Sequence, residues 1–515
     1  MKGRGYIAVA LILLVALTGA MRTLAQWRHD AVLPRAGSAS RLSQMNTFAL
    51  SLVLGGLRGP LVMILWTSSE NQKTERNLED IDTKIELIRM LQPEFDSVHI
   101  FQIWNKAYNL SVQMANLRNK YATILDGLDY GHRVDQERPD NVNILVAMAE
   151  VYLNKLGASI SDRRYYVARV KEDTLPKAVA DDVRKARAGW RRTQHDTLVD
   201  ATGRILPQYL APRPVSPTLA KAGYNGAELQ YLQPYNERGA FPFGVHPLAL
   251  AYNYYKKGQV VAAVTGRKHL HMGDAIVDSR PAVTLKTWSE DEWELGRRME
   301  IELLGQPVPD DRLKMETVTE KAALGTAIEK TQAHGNLARE AIFSYNRAVQ
   351  VAEDAIAEYQ RHLSEPDYSV AGLSTYDSHI DTCRAIVAFC AADRDYLAVL
   401  TTMAGLTPEV SAKVEDLKRA AREEYQRAID AYYLMILRYY TEDDVAKAVY
   451  PAVAGPGTDK TSLAGPKFDR KLYPKIHEAV RAYLKQNNRG DLYAEDVREY
   501  ETYIQRASTR LQLLN

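Results

Sequence analysis

From Leu78 onward, apolar positions recur at spacings of three and four. Leu78, Ile81, Ile85, Ile88 and Leu91 form the stripe of an amphipathic helix, closed by Pro93. Asp96 is placed to cap a second helix, in which Phe101, Trp104, Tyr108 and Val112 line one face and Ile100, Ile103, Ala107 and Leu110 broaden it. So wide an apolar face predicts neighbours on both sides. A third helix carries Tyr121, Ile124, Leu125 and Leu128 towards Pro139, and a fourth carries Ile144, Leu145, Met148, Tyr152 and Leu156. Pro247 suits the first position of a helix through Leu248-Ala-Leu-Ala-Tyr-Asn-Tyr-Tyr255. Ser289 and Glu292 have capping-box spacing and predict a helix start running through Trp293. Long helices are expected over 317–363, 376–403 and 410–440. Two more, over 473–485 and 494–514, follow a Gly/Pro-rich loop at 451–466.

The recurring order helix, proline, helix predicts an all-α fold: a tetratricopeptide-like helical repeat, or α-solenoid, with irregular insertions and an N-terminal transmembrane helix. Trp104-Asn-Lys-Ala-Tyr108 and Ala147-Met-Ala-Glu-Val-Tyr152 supply the small and aromatic residues of the first helix of such a unit. Pro93 and Pro139 lie further apart than the roughly 34 residues of an ideal unit, so the repeats are irregular. The chain divides into a signal anchor (1–30), membrane-proximal apolar helices (31–74) and tetratricopeptide-like helices (75–160). A basic helix with a Pro/Gly-rich insertion (161–246), a helical repeat region (247–450), and a loop with C-terminal helices (451–515) follow.

Lys2 and Arg4 precede an uncharged run from Gly5 through Met21, and Leu24 to Trp27 extend it, which reads as an uncleaved signal anchor over residues 5–27. The expected location is the inner, cytoplasmic membrane, single-pass, with the bulk on the exocytoplasmic or periplasmic side. Arg22, Arg28, Arg35 and Arg41 pull against that orientation, because basic flanks tend to stay in the cytoplasm. A second apolar stretch, 47–66, is interrupted by Gly55, Gly56, Arg58, Gly59 and Pro60. An arginine at mid-membrane costs about 2.5 kcal/mol or more, so this stretch predicts two short helices at the membrane surface or against the first repeat.

Leu54-Gly-Gly-Leu-Arg-Gly59 ahead of an apolar helix ending at Trp66, Trp104-Asn-Lys-Ala-Tyr-Asn-Leu-Ser111, and Val277-Asp-Ser-Arg-Pro-Ala282 are spread over roughly residues 45–295. Together with the anchor, they resemble a family of membrane-anchored, tetratricopeptide-like proteins of planctomycetes and related bacteria. The resemblance implies an anchored helical fold and carries over no activity, cofactor or catalytic residue.

Among 515 residues, 66 basic and 64 acidic side chains leave a formal charge of +2, so no global field points to nucleic acid. Tyrosine outnumbers phenylalanine 30 to 8, which suits packed helices whose ring bodies are buried and whose hydroxyls reach polar partners. Cys383 and Cys390, seven residues apart, would sit on one helix face roughly 10 Å apart, too far for a disulfide, and read as small buried apolar residues. His269 and His271 would meet on a metal only in an extended segment, and no third ligand is fixed by spacing. Gly455-Pro-Gly-Thr-Asp-Lys-Thr461 resembles a phosphate-binding loop superficially, but Asp459 stands where glycine is required. Over 161–194, Arg163, Arg164, Arg169 and Lys171 open a basic run with Tyr165, Tyr166 and Trp190 interleaved and five acids diluting it. It reads as a solvated helix face, with anionic lipid, glycan or nucleic acid as the other candidate contacts and lipid headgroups foremost if the domain lies near the membrane.

These features predict a scaffold, not an enzyme, with no cofactor, no metal and no nucleic acid. Its partners would be other proteins, subunits of envelope or membrane complexes. Trp104, Tyr108, Tyr152, Tyr252 and Tyr255 are the expected framework or partner-groove residues, most of them in the core. The alternatives are a helical hydrolase of envelope polysaccharide, requiring two acids facing each other across a cleft, and a subunit of an envelope transport or secretion complex.

Overall fold

The computed structural model describes residues 58–74, 81–92, 95–158, 162–173, 245–265, 272–318, 324–363, 373–406 and 412–514. The anchor run 5–27, most of the basic run including Trp190, the Pro/Gly-rich insertion and the pair His269 and His271 lie outside the described residues. Among the described residues, every regular element is helical. The chain forms two compact units, 1–278 and 279–515.

In the first unit the elements are α1 (Arg58–Thr74), α2 (Ile81–Leu91), α3 (Asp96–Trp104), α4 (Leu117–Glu137), α5 (Val142–Glu150), α6 (Arg163–Asp173) and α7 (Pro247–Thr265). α3 runs on as a π-helical turn over Asn105–Leu110 and α5 as another over Val151–Gly157. α1 packs on α2, α3 on α4, and α7 on α5, so neighbouring helices bury each other's stripes. Ile88, Leu91, Ile124, Leu128, Ile144, Leu145, Met148 and Leu156 are all buried, as the spacing predicts, and Val98 joins them.

Two expectations for this unit change. Asp96 does not cap α3: it is the helix's first residue, and its carboxylate accepts hydrogen bonds from Arg138 (2.6 Å), Asn141 (2.9 Å) and Asn143 (2.8 Å). Burial pushes its pKa up, but the Asn143 bond and the Arg138 charge outweigh burial and hold it below the ordinary carboxylate value. The helix of the second apolar stretch does not end at Trp66. α1 begins at Arg58 and continues to Thr74, and Trp66 sits edge-on to Phe95 and Phe101, with ring centroids 5.9 and 5.4 Å away.

The second unit comprises the part of α8 (Met272–Leu303) from residue 279 onward, α9 (Arg312–Glu316), α10 (Leu324–Ala333), α11 (Gly335–Leu363), α12 (Leu373–Met403) and α13 (Ala412–Met435). The last of these is extended by a π turn, Ile436–Tyr440. α14 (Asp443–Ala454), α15 (Lys460–Leu463), α16 (Tyr473–Gln486) and α17 (Gly490–Leu514) complete it. α11, α12 and α13 pack side by side, and α17 closes on α13. Gly305 and Gly405, at φ +69° and +71°, end α8 and α12. In both, the next residue's N–H reaches back five positions, Gln306 to Ile301 and Leu406 to Thr401, which satisfies a terminal carbonyl.

Here too the structure corrects the sequence. Ser289 and Glu292 do not open a helix but lie inside α8: the Ser289 hydroxyl donates to the Lys286 carbonyl (2.7 Å), and Glu292 accepts from Trp288 Nε1 (3.2 Å) and Arg347 (3.0 Å). The long helix expected over 317–363 is interrupted between Ala333 and Gly335. A Cβ on Gly335 would lie 2.5 Å from Leu406, so the break seats that leucine. The loop at 451–466 is partly helical, with α14 running through Pro451 and Asp459 capping α15.

At the centre of this unit three arginines and three carboxylates are buried together: Arg297 and Glu300 on α8, Glu316 on α9, Asp393 on α12, and Arg506 and Arg510 on α17. Asp393 is held by Arg510 (2.6 Å), Arg506 (2.9 Å) and the Tyr425 hydroxyl (2.7 Å). Arg506 also pairs with Glu316 at 2.6 Å, and Arg510 with Glu300. Glu300 further accepts from Arg297 (3.2 Å) and the Tyr345 hydroxyl (2.7 Å). Burial alone would raise the Glu300 pKa, yet Arg510, Arg297 and Arg506 drive it well below the usual value. The same balance raises that of Arg506. Breaking such a pair costs more than forming it returns, because a charge is left unpaired in a low dielectric. Asp393→Ala is therefore expected to destabilise the second unit by about 3–5 kcal/mol. Urea unfolding of the full chain, followed by tryptophan fluorescence, to which Trp288 and Trp293 of this unit contribute, measures this. Removing the exposed partner Asp416 of Arg419 should leave the midpoint where it is, and an equally small effect of Asp393→Ala would refute the structural role given to the cluster.

Candidate partner-binding site

A π turn follows each of α3 and α5 in the first unit. A π turn holds more residues than an α turn and rotates whatever follows. Along α3 and its extension, Val98, Ile103, Ala107 and Ser111 are buried. Trp104 is 46% exposed and Val112 62% exposed, so the stripe Phe101, Trp104, Tyr108, Val112 is not the core face that the sequence predicts. The Ser111 hydroxyl donates to the Ala107 carbonyl (2.6 Å) and Asn109 to the Asn105 side chain (3.1 Å), which stabilises the wide turn. The second π turn, Val151–Gly157, touches the first.

The Trp104 indole stacks on the Tyr108 ring, with centroids 4.8 Å apart and planes 28° from parallel. Tyr108 is fixed in turn: its hydroxyl donates to the Glu150 backbone carbonyl (3.1 Å), and the Lys155 ammonium lies 5.5 Å from its ring centre. Glu150 is buried at the junction of α5 and its π turn. Its carboxylate accepts from the Tyr255 hydroxyl on α7 at 2.6 Å and from Asn154. One chain of contacts thus runs from a surface indole through Tyr108 and Glu150 to a buried phenol on α7. Burial, then the Glu150 charge, pushes the Tyr108 phenol well above its ordinary pKa. Burial lowers that of Lys155 and the nearby Lys120 adds to this, with Asp162 opposing.

The five residues singled out in the sequence therefore take different places. Trp104 and Tyr108 form the exposed stack, and Tyr255 is its buried support. Tyr152 is buried and stacks on Tyr254, with ring centroids 5.8 Å apart and planes 9° from parallel. Tyr252 is half-buried on α7. Glu150, Asn154 and Lys155 were missed. The signal for Glu150 was present, as a lone acid inside the apolar run from Ile144 to Leu153.

Other candidate chemistry resolves differently. Among the described residues no group of three His, Cys, Asp or Glu is placed to hold a metal. Asp459 accepts from the Ser462 N–H (2.7 Å), so the segment resembling a phosphate loop spends its carboxylate as a helix cap. Cys383 and Cys390 are buried free thiols. Burial raises both, Cys383 to about 12, which leaves them protonated and unreactive at neutral pH. α6 of the basic run is tied down by Tyr121 donating to Asp173 (2.7 Å) and by Lys120 pairing with Asp162 (3.5 Å).

No protein-family model, no curated protein and no solved structure matches the chain. The geometry of the site is thus the ground for a functional reading. If Tyr255 is framework and Trp104 is surface, the two respond differently to truncation. Tyr255→Phe removes a hydrogen bond to a buried carboxylate and is expected to cost about 1.5–3 kcal/mol, whereas Trp104→Ala should cost about 1 kcal/mol or less. Urea midpoints of the two variants test the assignment, and the reverse order would contradict it.

Proposed function

We propose that the chain is a membrane-anchored, tetratricopeptide-like helical scaffold of the bacterial cell envelope that binds a protein partner and performs no catalysis. The observation that carries this is the Trp104–Tyr108 stack. A large indole stands 46% exposed on a rigid, hydrogen-bonded support with a cation beside it. Binding hot spots are rich in tryptophan, tyrosine and arginine, and an aromatic ring already held in place loses little entropy when a partner packs on it. The apolar run 5–27 supports anchoring in the inner membrane with the bulk on the exocytoplasmic side. The helix–proline–helix order and the resemblance to the planctomycete family support a repeat-like architecture.

A polysaccharide hydrolase is the weaker reading. It needs two carboxylates free to exchange protons across a cleft, and the buried carboxylates Glu300, Glu316 and Asp393 are each committed to arginine.

Two measurements test the proposal. Protease added to intact spheroplasts should digest the helical bulk, and protection there would place it in the cytoplasm. A photoreactive phenylalanine analogue at position 104, in cells carrying the full-length chain, should give one or a few discrete crosslinked proteins. For the partner so identified, Trp104→Ala should weaken binding about thirtyfold or more, the equivalent of about 2 kcal/mol at a hot spot. Undiminished affinity in Trp104→Ala would sink the assignment of this surface.

A further inference from the structure

We infer that α1 lies in the interfacial layer of a lipid bilayer, with Met63 and Ile64 turned towards the acyl chains. This rests on the anchored reading of residues 5–27 and adds a second, non-spanning membrane contact to it.

One side of α1 is spent on the protein. Val62 is buried with Ile88, Leu91 and Val98, and Leu61, Leu65 and Trp66 pack partly against that cluster. Met63 and Ile64 are left 64% and 65% exposed, and Leu87 and Met90 of α2 are 38% exposed each. Of the large exposed hydrophobic side chains among the described residues, half therefore sit on the two helices that directly follow the apolar N-terminal region. Lys84 of α2 donates to the Ser68 hydroxyl of α1 at 2.6 Å, which fixes how the two helices are rotated against each other.

The sequence of α1 changes character along its length. Pro60 to Trp66 carries no polar side chain, whereas Thr67 to Thr74 is wholly polar. Those seven residues run about 10 Å along the axis, and an interfacial helix that lies in the plane of the bilayer immerses the outward side of such a stretch, here Met63 and Ile64, by about 5–10 Å. The apolar stretch would meet lipid along its outward side and the polar stretch would stay in water, with the amphipathic Trp66 ring at the division. No helix among the described residues is long and apolar enough to cross a membrane, so the contact is one of partial immersion.

Two features favour lipid over a protein partner. The exposed side chains are methionine, isoleucine and leucine, without the surface tryptophan, tyrosine or arginine of a hot spot. The chain reaching α1 also arrives from residues 47–57, which are uncharged, and beyond them from the 5–27 run, so the bilayer is close at hand.

Spin labelling of the full chain in phosphatidylcholine nanodiscs containing phosphatidylglycerol tests this. Both native cysteines are buried, so Met63→Cys, Ile64→Cys and, as an aqueous reference, Gln136→Cys can be labelled singly. Power saturation should find labels at 63 and 64 several-fold more accessible to oxygen than to a water-soluble nickel chelate, with the opposite order at 136. If 63 and 64 behave like 136 while the protein stays in the disc, the inference fails and the anchor stands. Shielding from both reagents overturns it as well. In that case, broadening that disappears on dilution with unlabelled chain would identify a second copy as the cover, and unchanged spectra would identify another segment of the same chain. A protein that does not enter the disc refutes both the anchor and the inference.

Discussion

Asp393 is the point from which the second unit is built. Its two oxygens are shared among Arg506, Arg510 and Tyr425, and each arginine divides its fork between Asp393 and a second carboxylate on a different helix. Burying an ion costs several kcal/mol, so such a cluster is tolerable only where charge balances and geometry is good. Both conditions hold: three positive and three negative groups, with Arg506 also lying 4.2 Å from the centre of the Phe389 ring and Arg510 4.7 Å from that of Tyr396. The consequence is register. α8, α9, α12 and α17 cannot slide past one another by a turn without stranding a charge, whereas a purely apolar seam of alanine and leucine would permit it.

The first unit reaches the same end with tyrosine hydroxyls and separate ion pairs. Tyrosine hydroxyls donate to Glu150 and Asp173, Tyr130 bonds His99 at 2.9 Å, and Lys257 pairs with Asp135 at 3.0 Å. In the second unit Tyr450 and Tyr473 donate to the carbonyls of Leu437 and Leu463, groups near helix ends that would otherwise be left without partners. The excess of tyrosine over phenylalanine follows from this use. Each ring fills the core as phenylalanine would, and its hydroxyl settles a polar group that dense helix packing cuts off from water.

Helix existence was legible in the sequence because it depends on local periodicity. Ile88, Leu91, Ile124, Leu128, Leu145 and Met148 are buried where their spacing puts them, and Pro247 opens its helix as its fixed φ suggests. What escaped was whatever depends on non-local partners. Asp96 had a cap's position, but Arg138, Asn141 and Asn143 outbid the helix N–H groups for its carboxylate. Ser289 and Glu292 had the spacing of a capping box, yet Arg347, from another helix, holds Glu292 inside a longer one. Arg506 and Arg510, four apart on an otherwise charged helix, carry the signature of a solvated face. Only the fold reveals that Glu300, Glu316 and Asp393 come to meet them. The candidate site was half legible: the aromatics stood out by type, but the stripe through Phe101, Trp104, Tyr108 and Val112 put Trp104 inward, whereas Val98, Gln102 and Ile103 form the buried side of α3.

The two places where large apolar side chains face outward have different physical origins. At α1 the helix is regular and the exposure is written in composition, with an apolar stretch, Pro60 to Trp66, that α2 and the start of α3 cover on one side only. At Trp104 the exposure comes from helix phase: the indole stands on the side of α3 away from the buried Val98, Gln102 and Ile103, while Tyr108, tied to Glu150, holds it still. Leaving a large side chain in water forgoes about 1.5–3 kcal/mol of burial, and scattered single residues of this kind are common enough to mean little. A continuous apolar stretch of helix, and an indole stacked on a tyrosine whose hydroxyl is held by the Glu150 carbonyl, are not scattered events. In each the fold commits other interactions, the Lys84–Ser68 bond in one and the Glu150 junction in the other, to keeping the side chain where it is. Such expenditure stabilises nothing in the isolated chain that an inward-facing residue would not stabilise better, which is the physical reason for reading both as surfaces that are completed by something else.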